Sequence, residues 1–254
     1  MWVSAYPYYV QKSGNQAEEY EDAYWPPDPV DAPGESFSFA VADGATEASY
    51  SKVWAGLLVE AYCEVRLREP DLTETLFDLQ TKWKETVGAQ PLPWYAEQKI
   101  RDGAFSSLLG FTIREAETPE NDSRLWEAMA VGDSCLFQVR DDRLHVSFPL
   151  DRSEQFNSRP ALLSSNPLSN DRLSEYVLRR TGDWQPGDVF YLMTDALACS
   201  FLKATEDGEK PWKIKRPTQE SFESWIRKLR AEGAIRNDDV TLYRVEPLLE
   251  EDSE

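Results

Sequence analysis

The sequence has few of the residues on which several common kinds of catalytic site depend. Its single histidine, His145, lies in the alternating segment RLHVSF, which is more typical of an ordinary β-strand than of a metal ligand or general base. Cys63, Cys135 and Cys199 are widely spaced, so neither a disulfide framework nor a CxxC zinc site is indicated, and a reducing compartment fits. No GxxxxGK[ST] loop, GxGxxG turn or GxSxG motif is present. The residues therefore give no support to catalysis by histidine, thiolate or activated serine.

Positive charge is scarce as well. The chain has 27 Lys and Arg against 46 Asp and Glu, which is a formal net charge of −19. Such a chain repels the phosphate backbone of nucleic acids and anionic lipid headgroups, so neither is an expected partner. There is also no run of 18 apolar residues and no basic start followed by an apolar stretch and a cleavage site. We therefore expect a soluble, cytoplasmic protein that is not exported.

Apolar and aromatic residues, in contrast, are plentiful. Of the 254 residues 41% are hydrophobic, and they include nine Trp, eleven Tyr and eleven Phe. This amount is enough to bury one sizeable core. We expect a single domain over residues 1–247, followed by a solvated acidic tail at 248–254.

Apolar runs bounded by turn residues predict the strands. We expect strands at WVSAYPYYVQ, FSFAVA, VFYLMT and VTLYRVE, and an antiparallel meander over residues 104–148. The proline-rich segment PPDPVDAPG predicts a connector, and residues 149–187, which have little periodicity, predict a surface excursion.

Apolar residues at helical spacing predict the helices. The predicted ranges are Ser49–Arg68, Leu72–Val87, one helix near Leu173–Arg180, one from Ala196 and one around Phe222–Leu229. Helices before and after a block of antiparallel strands predict an α+β fold of stacked layers.

Acidic residues recur where the predicted strands end. Asp43 follows FSFAVA, Asp133 follows AMAVG, Asp195 follows VFYLMT, and Asp238 with Asp239 precedes VTLYRVE. Any one of them is more often a turn former or helix cap, but together they predict carboxylates that converge on one rim. Unpaired negative charges at such short distances repel one another, and a bound divalent cation removes this repulsion. Oxygen ligands without histidine or thiolate favour Mg²⁺ or Mn²⁺.

Six segments resemble, in sequence and in order, the motifs of the protein phosphatase 2C family. They are YEDAY (20–24), VADGA (41–45), GAFSSLLGFTI (103–113), AVGDSCLFQVRDDRL (130–144), PGDVFYLMTDAL (186–197) and NDDVTL (237–242). Each motif alone has modest specificity for the family, whereas six motifs in the right order are fairly specific. The resemblance implies an α-β-β-α sandwich, in which two central antiparallel sheets are flanked by helix pairs and a metal cleft lies at one end.

The resemblance also implies roles for individual residues. By position, Asp43 is similar to the carboxylate that bridges two ions, and Asp43 and Asp22 to the catalytic carboxylates. The other implied metal ligands are Glu21 and the Gly44 carbonyl for one ion, Asp195 and Asp238 for the second, and Asp133 for a third, weaker ion; Asp22 and Asp239 would orient bound waters.

The implied reaction is the hydrolysis of phosphoserine or phosphothreonine in a protein by a water that two Mg²⁺ or Mn²⁺ ions activate. The phosphorylated partner would be the target of a serine/threonine kinase.

The sequence departs from the family pattern at four positions. Ala17 stands where an arginine usually holds the substrate phosphate, and Lys12 is the candidate substitute. Ala45, Cys135 and Ala196 replace a histidine, an arginine and a glycine that many members have. Three hypotheses follow: an active phosphatase, a pseudophosphatase that binds phosphoproteins without turnover, and a structural domain whose carboxylates are solvated turns.

Overall fold

A computed structural model of the chain describes residues 1–45, 50–64, 67, 72–89, 102–115, 124–156, 159–213 and 216–249. Two antiparallel sheets form its centre. The first has the strand order β3-β1-β13-β12-β8-β9, with β1 at Trp2–Val10, β3 at Val30–Pro33, β8 at Cys135–Arg140, β9 at Arg143–Phe148, β12 at Val189–Met193 and β13 at Val240–Leu248. The second has the order β11-β7-β6-β4-β2, with β2 at Ala23–Trp25, β4 at Ser36–Ala42, β6 at Leu108–Glu115, β7 at Arg124–Val131 and β11 at Leu178–Asp183.

A separate two-stranded ladder lies beside the second sheet. It consists of β5 at Phe105–Ser106 and β10 at Leu163–Ser164. An isolated antiparallel bridge joins Gly44 to Ser106, so this ladder lies directly beside the end of β4.

Helices cover the outer face of each sheet. On the second sheet lie α1 at Ser51–Cys63 and α2 at Leu72–Gly88; on the first lie α4 at Asp195–Glu206 and α5 at Gln219–Ala231; α3, at Leu173–Tyr176, is a single turn. The predicted α-β-β-α sandwich is therefore confirmed. No helix in the described part of the chain is both long and apolar enough to cross a membrane.

The central strands are apolar on both faces because each is covered on both sides. In β4, Phe39 and Val41 pack between the sheets, whereas Ala40 and Ala42 pack beneath the helices. The core between the sheets is aromatic, and the rings of Phe111 and Phe190, from opposite sheets, have centroids 4.8 Å apart. The continuous apolar runs from which these strands were predicted are the direct result of this double coverage.

Three predicted elements differ from the structure. The proline-rich connector contains β3, which pairs with β1 and has Pro33 at its end. The surface excursion contains β11, which pairs with β7, and the helix predicted to reach Arg180 is only the turn α3. Both strands lie at sheet edges, where backbone hydrogen bonds form without an apolar pattern.

Two predicted boundaries can also be compared with the structure, namely the end of α1 and the end of the domain. This helix ends at Cys63, five residues before the predicted end at Arg68. The domain boundary at residue 247 stays a prediction: β13 runs to Leu248, and residues 250–254 lie outside the described residues.

Candidate metal centre

Asp43 is the first residue after β4, and its backbone is fixed from two sides. Its N–H donates to Ser107 Oγ at 3.0 Å, and its carbonyl accepts from Ser107 N–H at 2.9 Å and from Ser106 Oγ at 2.8 Å. Ser107 Oγ also shares a hydrogen bond of 2.8 Å with Ser134 Oγ, next to Asp133. A serine network therefore holds the β4 end and the turn at residue 133 together.

Asp22 lies buried between the ends of β12 and β13. Its Oδ2 accepts hydrogen bonds from Thr194 Oγ1 at 2.9 Å and from Thr241 Oγ1 at 2.7 Å. Thr194 Oγ1 in turn accepts the Thr241 N–H at 2.9 Å, so the two hydroxyls are oriented towards the carboxylate. The other oxygen, Oδ1, is buried and has no hydrogen-bond partner among the described residues. It is a carboxylate oxygen that remains free to accept a ligand.

Asp239 connects the start of β13 to the loop between β1 and β2. Its Oδ1 accepts the Lys12 N–H at 2.6 Å and its Oδ2 accepts the Glu21 N–H at 2.7 Å. Glu21 is further positioned by Ser51, at the start of α1, whose hydroxyl donates to Glu21 Oε1 at 2.6 Å. Asp239 thus ties the Glu21 backbone to the start of β13.

Gly44 lies close against the Glu21 backbone. A Cβ built on Gly44 would lie 2.7 Å from the Glu21 carbonyl oxygen and 3.0 Å from Ser51 Cβ. Real Cβ atoms do not approach a backbone atom this closely, so any larger residue would push the two loops apart. The glycine is therefore required by close packing of the Glu21 and Asp43 segments.

The acidic side chains of the site raise one another's pKa values. Burial raises the pKa of Asp43 well above its usual range, and the charges of Asp22, Asp195, Asp133 and Asp238 raise it further. Burial, followed by the charge of Asp195, raises the pKa of Asp133 to about 7. These five carboxyl groups, from segments far apart in sequence, are therefore close enough to repel one another.

Two of these residues have pKa values that also reflect favourable contacts. Burial raises the pKa of Asp22 well above its usual range, against the opposing effect of the Thr241 hydroxyl. Burial also raises the pKa of Asp195, while the charge of Arg236 lowers it in part. In both residues the cost of burying a charge exceeds the gain from its partners.

Two cations lie at the edge of the acidic cluster. The Arg236 guanidinium donates through Nη2 to Asp195 Oδ2, and its Nε lies 3.7 Å from Asp238 Oδ2. The Lys12 ammonium lies 4.0 Å from Asp238 Oδ1. The sequence analysis named Lys12 as a candidate for holding the substrate phosphate but did not name Arg236. This isolated arginine, two residues before Asp238, belongs to none of the motifs.

The residues present fit hard divalent cations. The donors are carboxylates and a backbone carbonyl, one buried Asp22 oxygen has no hydrogen-bond partner among the residues that the structure describes, and the buried charges repel. Within the described ranges no three Asp, Glu, His or Cys side chains are already gathered into a set that could hold an ion. Ions would therefore have to draw the carboxylates together.

Two residues that the sequence analysis judged unsuited to catalysis add no reactive group to this cluster. His145 is exposed on β9, as predicted for a strand residue. Cys135 is buried, and burial raises the pKa of its thiol, which keeps the thiol protonated and unreactive.

Comparison with known proteins gives one family and a set of similar folds. The sequence model of the family described as protein phosphatase 2C matches residues 21–240. A search of curated protein sequences found no significant match.

Several solved structures resemble the chain in fold. The Mycobacterium tuberculosis serine/threonine phosphatase PstP/Ppp has a TM-score of 0.58 at 16% identity, covering 98% of this chain and 100% of that one. PppA, a regulatory component of the T6SS in Pseudomonas aeruginosa, has a TM-score of 0.57 at 17% identity, covering 97% and 98%. The catalytic domain of PstP with two manganese ions has a TM-score of 0.54 at 16% identity, covering 97% and 100%. At these identities the similarity is one of fold.

Proposed function

Because the chain belongs to the protein phosphatase 2C family, we propose that it is a Mg²⁺- or Mn²⁺-dependent phosphatase that hydrolyses phosphoserine and phosphothreonine in proteins. The gathering of four other carboxyl groups around Asp43, those of Asp22, Asp133, Asp195 and Asp238, is the observation that carries this proposal. Such an arrangement is costly without cations and becomes favourable with them. It also argues against the hypothesis of solvated turns, because Asp22, Asp133 and Asp195 are each less than 10% exposed.

The proposed ligand sets follow the positions of the residues. Asp43 would contact both ions, Glu21 and the Gly44 carbonyl would complete the first site, and Asp195 and Asp238 the second. Asp133 would hold a third, weaker ion. When bound, the ions supply charge neutralisation and a water of lowered pKa that can attack phosphorus.

The protein's own contribution is to hold the acidic side chains in position. The serine network holds Asp43, and the two threonine hydroxyls hold Asp22 with its Oδ1 free. That free oxygen is suited to accept a hydrogen bond from a water at the site and to orient it for attack. Since these partners are fixed before substrate arrives, little reorganisation is needed in the transition state.

Lys12 is the residue that we propose for the substrate phosphate. Ala17, where the family usually has an arginine, is an exposed residue of a short 3₁₀ helix and offers no charge. The Lys12 side chain is 35% exposed and its ammonium lies 4.0 Å from Asp238 Oδ1. A partly exposed cation at the edge of the acidic cluster can meet an incoming phosphate, although a single ammonium lacks the fork of an arginine.

A pseudophosphatase is the second candidate function. It is favoured by Ala17 and Ala45, which lack the phosphate-holding and proton-donating side chains of many members, and by Arg236, which pairs with Asp195. In that case the protein would recognise a phosphoprotein without releasing phosphate.

The partner that we propose is a phosphorylated protein of the cytoplasm, modified by a serine/threonine kinase. The net charge of −19 makes recognition dependent on bound cations, since the chain would otherwise repel a phosphorylated segment.

Hydrolysis of an aryl phosphate tests this function. We expect turnover with Mn²⁺ or Mg²⁺ and none after chelation with EDTA. A protein that binds two Mn²⁺ ions but releases no product at saturating aryl phosphate would contradict the phosphatase and support the pseudophosphatase.

A further inference from the structure

Arg236 has a position that no motif explains. It lies between α5 and β13, two residues before Asp238, and its side chain is 54% exposed. Its guanidinium nevertheless turns inward, donates to Asp195 and lies 3.7 Å from Asp238. Its charge also lowers the pKa of Asp133, against the larger effect of burial. One arginine therefore faces the three carboxylates assigned to the second and third ions.

In the described part of the chain, the side-chain hydrogen bond and ion pairs of Arg236 are with this acidic cluster. Arg230, the next arginine before it, donates instead to the backbone carbonyls of Gln11 and Asp238 and so holds the loop. Lys12 reaches Asp238 but forms no ion pair with Asp195 in the described structure. Among the described residues, Arg236 is therefore the one cation that forms an ion pair with Asp195.

We propose that Arg236 acts as an internal counter-ion that holds Asp195 and Asp238 in the metal-free protein and must leave them before the second ion binds. The inference rests on the proposed function, because it takes these two residues as ligands of that ion. Arg236 then has two opposite effects: it stabilises the metal-free fold, and it lowers the affinity of the second site.

The physical reason is competition for the same oxygens. A guanidinium bonded to Asp195 neutralises part of the charge that would attract a divalent cation and occupies a coordinating lone pair. Half-exposed on a loop, the side chain can swing out into solvent without disturbing a helix or strand. The first site, at Glu21 and Gly44, makes no contact with Arg236 in the described structure and should be unaffected.

Calorimetric titration with Mn²⁺ tests the proposal. Arg236→Gln should bind the second ion about tenfold more tightly than the parent protein, which corresponds to about 1.4 kcal/mol. Arg236→Lys keeps the charge but loses the fork, so its affinity should lie between the two. Arg227→Gln is the matched control: Arg227 is exposed on α5, its Nε donates to the Glu223 carbonyl of the same helix, and it carries the same charge. Its second-site affinity should equal that of the parent.

Melting curves provide a second readout that does not depend on turnover. In EDTA, Arg236→Gln should melt below the parent, because Asp195 loses its counter-charge; at saturating Mn²⁺ the difference should close. Equal or weaker second-site affinity in Arg236→Gln would overturn the inference alone, provided that the parent binds two ions. Absence of Mn²⁺ binding in every protein, the parent included, would overturn the proposed function as well. If Arg236→Gln does not fold, Arg236→Lys decides: unchanged affinity overturns the inference and a rise supports it.

Discussion

Replacing Asp133 by asparagine should stabilise the metal-free protein, and increasingly so as the pH rises from 5 to 8. Asp133 is 6% exposed, and burial raises its pKa to about 7. In the unfolded chain the same carboxyl group has an ordinary pKa near 3.9. Between these two values the folded protein holds a proton that the unfolded chain has lost, so raising the pH favours unfolding.

The magnitude follows from the width of that interval. The stability linked to Asp133 is fully present below about pH 4 and is lost at about 1.4 kcal/mol per pH unit until the pH passes about 7. Between pH 5 and pH 7 the parent should therefore lose about 2–3 kcal/mol that Asp133→Asn does not lose. Asp22, Asp43 and Asp195, whose pKa values are also raised, should make the parent's total loss larger.

Urea unfolding in EDTA at several pH values measures this difference. Asp141→Asn serves as the control, because Asp141 lies in the exposed turn between β8 and β9 at a positive φ of 51°, which asparagine tolerates. We expect the control to follow the parent and Asp133→Asn to be flatter. Parallel pH profiles for the parent and Asp133→Asn would refute the conclusion that this carboxylate is buried at a cost.

Further substitutions test three separate parts of the site. Asp43→Asn should remove most activity and weaken both Mn²⁺ sites in a calorimetric titration, and two unaltered sites would rule out Asp43 as the shared ligand. Gly44→Ala should lower both the melting temperature and the Mn²⁺ affinity, since its Cβ would lie 2.7 Å from a backbone carbonyl, whereas Gly56→Ala, with open space around it, should be tolerated. Lys12→Ala should raise KM for an aryl phosphate about tenfold without changing Mn²⁺ binding, and Ala17→Arg should lower it; a KM indifferent to Lys12 would remove that residue from the phosphate site.

The sequence predicted the layers of the fold because the central strands are buried on both faces. β4 and β12 read as continuous apolar runs for this reason, and α1 and α2 show helical periodicity because each buries one face. β3 and β11 were missed because each is held by backbone pairing at a sheet edge and has no buried side chain. An apolar pattern cannot reveal such strands.

The aspartates at strand ends were predicted from their positions, and Glu21 and Asp22 from the family resemblance, but the partners of these side chains were not predicted. Asp22 accepts hydrogen bonds from Thr194 and Thr241, which lie 172 and 219 residues further along the chain. This pairing exists only once the two sheets are stacked. Arg236 was missed for the same reason, since its contact with Asp195 spans 41 residues and follows no motif. The roles of these residues in binding ions remain predictions.

Phosphate release from a phosphothreonine peptide, followed as Mn²⁺ is titrated into the chelated protein, tests the central claim most directly. We expect release to be absent in EDTA, to rise as the two ion sites fill, and to be lost in Asp43→Asn at the same Mn²⁺ concentration. Two filled Mn²⁺ sites in the parent protein with no phosphate released at any peptide concentration would contradict the assignment of this site as a phosphatase centre.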